Sequence, residues 1–114
     1  MLRKRSADRL LRAIKAGVTI AAGADDYLDV PWAFGQPSVH NIIGYAEDGI
    51  TIPQVLQFAT INASKQLNWN KDIGIIKKGY LADIIAVDAN VDKDIRAILN
   101  VHFVMKGGII YMNK

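Results

Sequence analysis

Val18-Thr19-Ile20-Ala21-Ala22-Gly23-Ala24-Asp25-Asp26 is the stretch whose reading decides the fold of this chain. An unbroken apolar and β-branched run, closed by glycine and two carboxylates, predicts a strand buried on both faces. That is the pattern of a parallel sheet rather than of a half-exposed antiparallel one. The carboxylates then stand at the strand's carboxyl end, where parallel α/β folds gather their chemistry because the loops there converge on one rim. A carboxylate at that rim can bind a metal ion or take a proton from water, and Asp25 is the candidate. Its bland alternative is a turn carboxylate that caps the next segment. Asp26 and Asp29 read as solvated or turn-forming.

Upstream, Ala7, Leu10, Leu11 and Ile14 recur on one stripe of a helix predicted over residues 3–16. Gly17 follows where a left-handed helix end is favoured. A helix feeding a buried strand with almost no connection is half of a repeating α/β unit. Downstream, residues 25–50 read as a long irregular stretch holding Pro31, Gly35, Pro37, Gly44 and Gly49, with room for a short helix over Asn41–Asp48. Loops of that length are often functional. His40 is a candidate substrate contact from this loop, with a structural or surface role as its alternative. Tyr27, Trp32 and Phe34 are candidates to line a pocket over the rim, or equally to anchor the loop by packing.

Thr51 and Gln54 form a capping-box pattern at the next helix start, with Pro53 tolerated in its first turn. Val55, Leu56, Ala59, Ala63 and Leu67 continue its apolar face, with a break expected near Thr60-Ile61-Asn62. After Asn68 the character changes. Ile73–Ile76, Ala82–Asp88, Val101–Lys106 and Ile109–Tyr111 predict strands, the last two joined by a Gly107-Gly108 hairpin turn. Asp92–Leu99 suits one or two helical turns. A boundary near residue 70 thus divides an α/β part, 1–70, from a mostly β part, 71–114. His102 alternates with Val101 and Phe103 and reads as structural.

The composition excludes several classes. The chain has 114 residues, enough for about one small domain, and 51% of them are hydrophobic. Without cysteine there is neither a disulfide framework nor a thiolate metal site. No apolar run is long enough to span a bilayer. Met1-Leu2-Arg3-Lys4-Arg5 lacks the apolar stretch of a signal peptide, so the default expectation is a cytoplasmic protein. The net charge of +3 is concentrated in Arg3, Lys4, Arg5, Arg9, Arg12 and Lys15 against Asp8. That describes a solvated helix face rather than a nucleic-acid groove. No phosphate loop, nucleophile elbow or Cys/His pair is present. A catalytic zinc normally needs three protein ligands, usually including histidines, and His40 and His102 are the chain's only two.

Four segments in order carry a resemblance. They are Ala16-Gly17-Val18-Thr19-Ile20-Ala21-Ala22-Gly23-Ala24-Asp25, then Asp48-Gly49-Ile50-Thr51 with Val55 through Ser64, then Ile73 through Asp88, then Val104-Met105-Lys106-Gly107-Gly108. Together they resemble the C-terminal quarter of metal-dependent amidohydrolases, nearest in flavour to the imidazolonepropionase and Xaa-Pro dipeptidase branch. The Ala-Thr-x-Asn-Ala and Gly-x-Leu-Ala-Asp segments are specific for the family and poor guides to substrate.

The resemblance implies an α/β fold: the last strand and closing helices of a (β/α)8 barrel, followed by part of a small β-sandwich domain. It implies that Asp25 is the last-strand aspartate, which contacts a divalent metal, zinc by expectation, and activates the attacking water. Ala24 stands where threonine or serine is common. The family's His-x-His, bridging residue and further histidines have no counterpart, so a C-terminal fragment is expected, inactive alone. Its parent would hydrolyse a carbon–nitrogen bond of a small molecule. The expected partner is the remaining N-terminal part or a second copy. Two other readings stay open: a non-catalytic self-associating module, since a strand with open edges recruits partners, and polyanion binding through residues 1–16.

Overall fold

The computed structural model describes residues 2–25 and 35–114, with side chains from residue 4 onward. Asp26, Tyr27, Asp29, Trp32 and Phe34 lie outside the described residues.

Helix α1 spans Leu2–Lys15, and the expected stripe puts Leu10 and Ile14 against the core while Leu11 stays 41% exposed. It stops because Gly17 adopts φ 82. The Gly17 amide then donates to Ile14 O at 2.9 Å and the Val18 amide to Ala13 O at 3.0 Å, satisfying two terminal carbonyls.

Helix α2, Gln36–Glu47, occupies much of what the sequence suggested as irregular. Gly35, at φ 83, and Pro37 are the reason: they mark a helix entry, since a first-turn proline loses no intrahelical bond. The helix ends as α1 does. Gly49 has φ 96, its amide donates to Ala46 O at 3.0 Å, and the Ile50 amide donates to Tyr45 O at 3.2 Å. Ile50 is buried.

Helices α3, Ile52–Ala59, and α4, Ile61–Gln66, are separated by the expected break at Thr60, whose φ is −121 and ψ −93. The capping box does not form at α3. The Thr51 hydroxyl donates to Gln54 Oε1 at 2.8 Å and caps no amide, because Pro53 removes one of the two N–H groups within its reach. Helix α4 closes on Asn68 at φ 57, whose amide donates to Lys65 O at 3.0 Å while the Trp69 amide donates to Ser64 O at 2.9 Å. Asparagine tolerates this conformation and alanine does not, so Asn68→Ala should cost about 1 kcal/mol and Asn68→Gly nothing comparable. Urea denaturation measures both.

Beyond α4 the predicted strand at Ile73–Ile76 is a bend over residues 73–75 followed by irregular chain, because Gly74 takes φ 93 to pass close to Ser64 of α4. Strands β1 (Ile84–Val87), β2 (Val101–Lys106) and β3 (Ile109–Asn113) form an antiparallel sheet in the order β1-β2-β3. Gly107 and Gly108 join β2 to β3 with φ 56 and 82, the two positive values that a right-twisted hairpin requires of a two-residue turn. A 3-10 helix, Ile95–Leu99, precedes β2, and Asp94 Oδ1 caps it by accepting the Arg96 amide at 2.9 Å. In β2, His102 Nε2 faces the Asp88 carboxylate.

The Gly-x-Leu-Ala-Asp segment now has a physical role. Asp83 Oδ1 accepts the Gly107 amide at 2.7 Å and Ala82 O accepts the Gly108 amide at 3.1 Å, so the segment holds the hairpin turn. Lys106 Nζ lies 3.8 Å from Asp83 at an exposed site where the charge pair adds little. Asp83→Ala should therefore lower stability by about 1–2 kcal/mol and Asp83→Asn, which keeps an acceptor, by less. Thermal melts of the two variants read the difference.

The core consists of Ile43, Ile50, Val55, Phe58, Ile95 and Ile98, with Leu10, Ile14, Ile20 and Ala22 packed against it. Tyr45 meets Phe58 edge-on, with centroids 5.9 Å apart at 83°. The 3-10 helix thus packs on α2, and its Ile95 and Ile98 join the same core cluster as Val55 and Phe58 of α3. The sheet itself is thinly covered: Ile85 is 57% exposed, Ile109 63% and Ile110 54%.

Candidate functional site

Residues 18–25 form no strand, contrary to the sequence reading: Val18 and Thr19 are exposed and Ile20–Ala22 half-buried. A parallel strand exists only with neighbours on its edges, and among the described residues none pairs with this segment. Helices hold it instead. The Ala22 amide donates to Phe58 O at 2.9 Å, using one of the carbonyls that the end of α3 leaves without an intrahelical partner. Asn62 Nδ2, at the start of α4, donates to Ile20 O at 2.8 Å. Asn41 Nδ2, from α2, donates to Gly23 O at 3.1 Å and lies 3.5 Å from the Tyr45 hydroxyl.

The break at Thr60 is what allows this. Thr60 Oγ1 donates to Leu56 O at 2.7 Å, ending α3. Asn62 then begins a new helix with its side chain turned to the 18–25 segment rather than buried in a continuous helix face. Ala-Thr-x-Asn-Ala is therefore a bend with a donor in it.

Past Gly23 the chain reaches Asp25, which is exposed and has φ 51. A non-glycine residue in that region carries a cost of about 1 kcal/mol or more, which aspartate bears better than most. Ala22, Gly23 and Ala24 line one side of a cleft of about 160 Å³, with Ser38, Asn41 and Ile42 of α2 and Ala59 of α3 on the other. The cleft flanks the approach to Asp25.

His40 belongs to α2 rather than to a loop; it is exposed and precedes Asn41, and the cleft lining does not include it. Trp32 lies outside the described residues. Asn41, Asn62 and Ser38 are the residues that sequence reasoning missed as parts of the site. Asn62 carried a signal, since it sits in a recognisable motif; Asn41 and Ser38 carried none. Among the described residues no group of three or more His, Cys, Asp or Glu side chains is placed to hold a metal ion. One carboxylate is not a zinc site, so these residues by themselves do not fit a metal.

The family model described as "Amidohydrolase family" matches residues 2–110. The 5-methylthioadenosine/S-adenosylhomocysteine deaminase of Thermoanaerobacter pseudethanolicus is 31% identical over 86 residues, covering 66% of this chain and 19% of that protein. The ochratoxinase of Aspergillus niger is 34% identical over 104 residues, covering 87% of this chain and 20% of that protein. A Xaa-Pro dipeptidase solved with methionine in its active site superimposes with a TM-score of 0.80 at 31% identity, covering 94% of this chain and 25% of the dipeptidase. The chain spans about a fifth of the length of the curated relatives it matches.

Proposed function

The chain belongs to the amidohydrolase family, and from that premise we propose that it serves as the C-terminal part of a hydrolase that breaks a carbon–nitrogen bond in a small molecule. In this reading residues 1–70 complete a (β/α)8 barrel, with 18–25 as its last strand, and 71–114 contribute to a small β-sandwich domain. Asp25 is the catalytic acid side chain at the rim. A deaminase and a dipeptidase among the relatives both act on carbon–nitrogen bonds, which supports the reaction class.

The observation that carries the proposal is the set of apolar side chains left exposed on the three-stranded sheet, Ile85, Ile109 and Ile110, combined with an extended segment that ends in a carboxylate and has no strand beside it among the described residues. Both are what a piece of a larger enzyme presents when its neighbours are elsewhere. The apolar residues exposed on the three-stranded sheet are suited to covering by a second sheet. His40 and Trp32 remain candidate substrate contacts.

A divalent metal, zinc by preference, would supply the polarising and water-activating chemistry in the complete enzyme, with ligands beyond Asp25 coming from outside the described residues. Asp25 itself can accept a proton from the attacking water and return it to the leaving nitrogen. The test is a chimera in which residues 2–110 replace the matching quarter of the Xaa-Pro dipeptidase. The proposal expects zinc-dependent dipeptide hydrolysis from the chimera and none from the 114-residue chain. A folded, zinc-loaded chimera without turnover would count against it.

A further inference from the structure

We infer that Asn62 and Asn41 are positioning residues that set the backbone of Ile20–Asp25 and thereby aim the Asp25 carboxylate; the inference rests on the catalytic role proposed for Asp25. Two side-chain amides from different helices grip this segment at Ile20 O and Gly23 O, at 2.8 and 3.1 Å. Between those points the Ala22 amide is tied to Phe58 O at 2.9 Å. Three hydrogen bonds thus act on four consecutive residues, and the next residues are Ala24 and then Asp25 in its left-handed conformation.

The grip is directional in a way that packing is not. Ile20 and Ala22 contribute apolar contacts to the core, but such contacts fix neither the rotation of the peptide planes nor the exit direction of the chain. A carbonyl held by a side-chain amide is fixed in both. Asn62 is half-buried, so its donor is partly shielded from competing water. Asn41 extends the same control to the cleft, because it lines that cleft and holds Gly23 at once. Displacement of a catalytic group by about 1 Å is enough to cost on the order of 10²-fold in rate, so an anchor of this kind acts on turnover more than on binding.

Asn62→Leu and Asn41→Leu test it, since leucine keeps the volume and removes the donor. In the 114-residue chain, NMR hydrogen exchange at the Ala22 amide should accelerate about tenfold in Asn62→Leu. The φ-dependent coupling of Asp25 should move away from its left-handed value in both variants, and the Gly107 amide at the hairpin should stay unchanged. In the chimera, kcat should fall about tenfold or more with KM within about twofold. Wild-type exchange and coupling, or changes spread equally to the hairpin, would overturn the inference. The two layers separate cleanly. If Asp25→Asn inactivates the chimera while the leucine variants keep full kcat, the positioning role alone fails. If Asp25→Asn leaves it active, the role of the acid fails as well.

Discussion

Asp25→Asn should lower kcat of the chimeric hydrolase by about 10²–10⁴-fold, the usual worth of a positioned acid–base group. The substitution preserves shape and removes the proton-accepting charge. Asparagine also populates the left-handed region in which Asp25 sits at φ 51, so the backbone has no reason to rearrange. The loss should therefore appear without a matching loss of stability, and single-turnover kinetics should place it in the chemical step. Asp25→Ala should be equally inactive and less stable, because alanine lacks the local hydrogen bonding that eases this conformation. If Asp25→Asn retained more than about a tenth of the activity, the catalytic assignment would fail.

Gly74→Ala should be the most damaging of the glycine-to-alanine changes, at about 3 kcal/mol. Two independent causes add. Gly74 has φ 93, where an L side chain is strained by about 1–2 kcal/mol. A Cβ placed there would stand 2.7 Å from Ser64 Oγ, 2.8 Å from Ser64 Cβ and 3.1 Å from Thr60 O. Ser64 is 2% exposed and its hydroxyl donates to Ile61 O at 2.8 Å, so it has no free volume into which to retreat. Overpacking of this kind costs a further 1–3 kcal/mol or so. The melting temperature should fall by about 10 °C or more. Adding Ser64→Ala should recover less than half of the loss, because it removes the oxygen and leaves the Cβ contact. A Gly74→Ala variant within about 1 kcal/mol of the parent would mean that the turn does not sit as tightly on α4 as described.

The sequence made the periodic elements legible. The helix over 3–16, the break near Thr60 and the Gly107-Gly108 hairpin all follow from local rules that tertiary contacts did not overturn. Gly17 was readable as a helix end for the same reason. Two failures share a different cause. Val18–Ala22 has the composition of a buried strand, but strand formation depends on partners that composition cannot supply. Ile73–Ile76 is rich in isoleucine, yet its glycine is used for a close approach to Ser64, a constraint set by residues ten positions away. At α2, Gly35 and Pro37 have the composition of loop punctuation but mark a helix entry.

Of the residues brought together around the 18–25 segment, few carry a local signal in the sequence. Asp25 stands out because a carboxylate after an apolar run and a glycine is an unusual place for charge. Asn41 and Asn62 do not, because an asparagine that donates to a carbonyl 18 or 42 residues away leaves no local pattern. Asn62 could be suspected from its motif, but its contact with Ile20 O depends on the bend at Thr60. His40 illustrates the converse: a residue type associated with catalysis that the helix presents outside the cleft lining.

Equilibrium dialysis of the 114-residue chain against zinc, followed by metal quantification and an amide-hydrolysis assay, bears most directly on the view that this segment brings a single acid to a site completed by other residues. The expected result is no stoichiometric retention of zinc and no turnover. One equivalent of zinc held by the chain alone, with hydrolysis that Asp25→Asn abolishes, would contradict it.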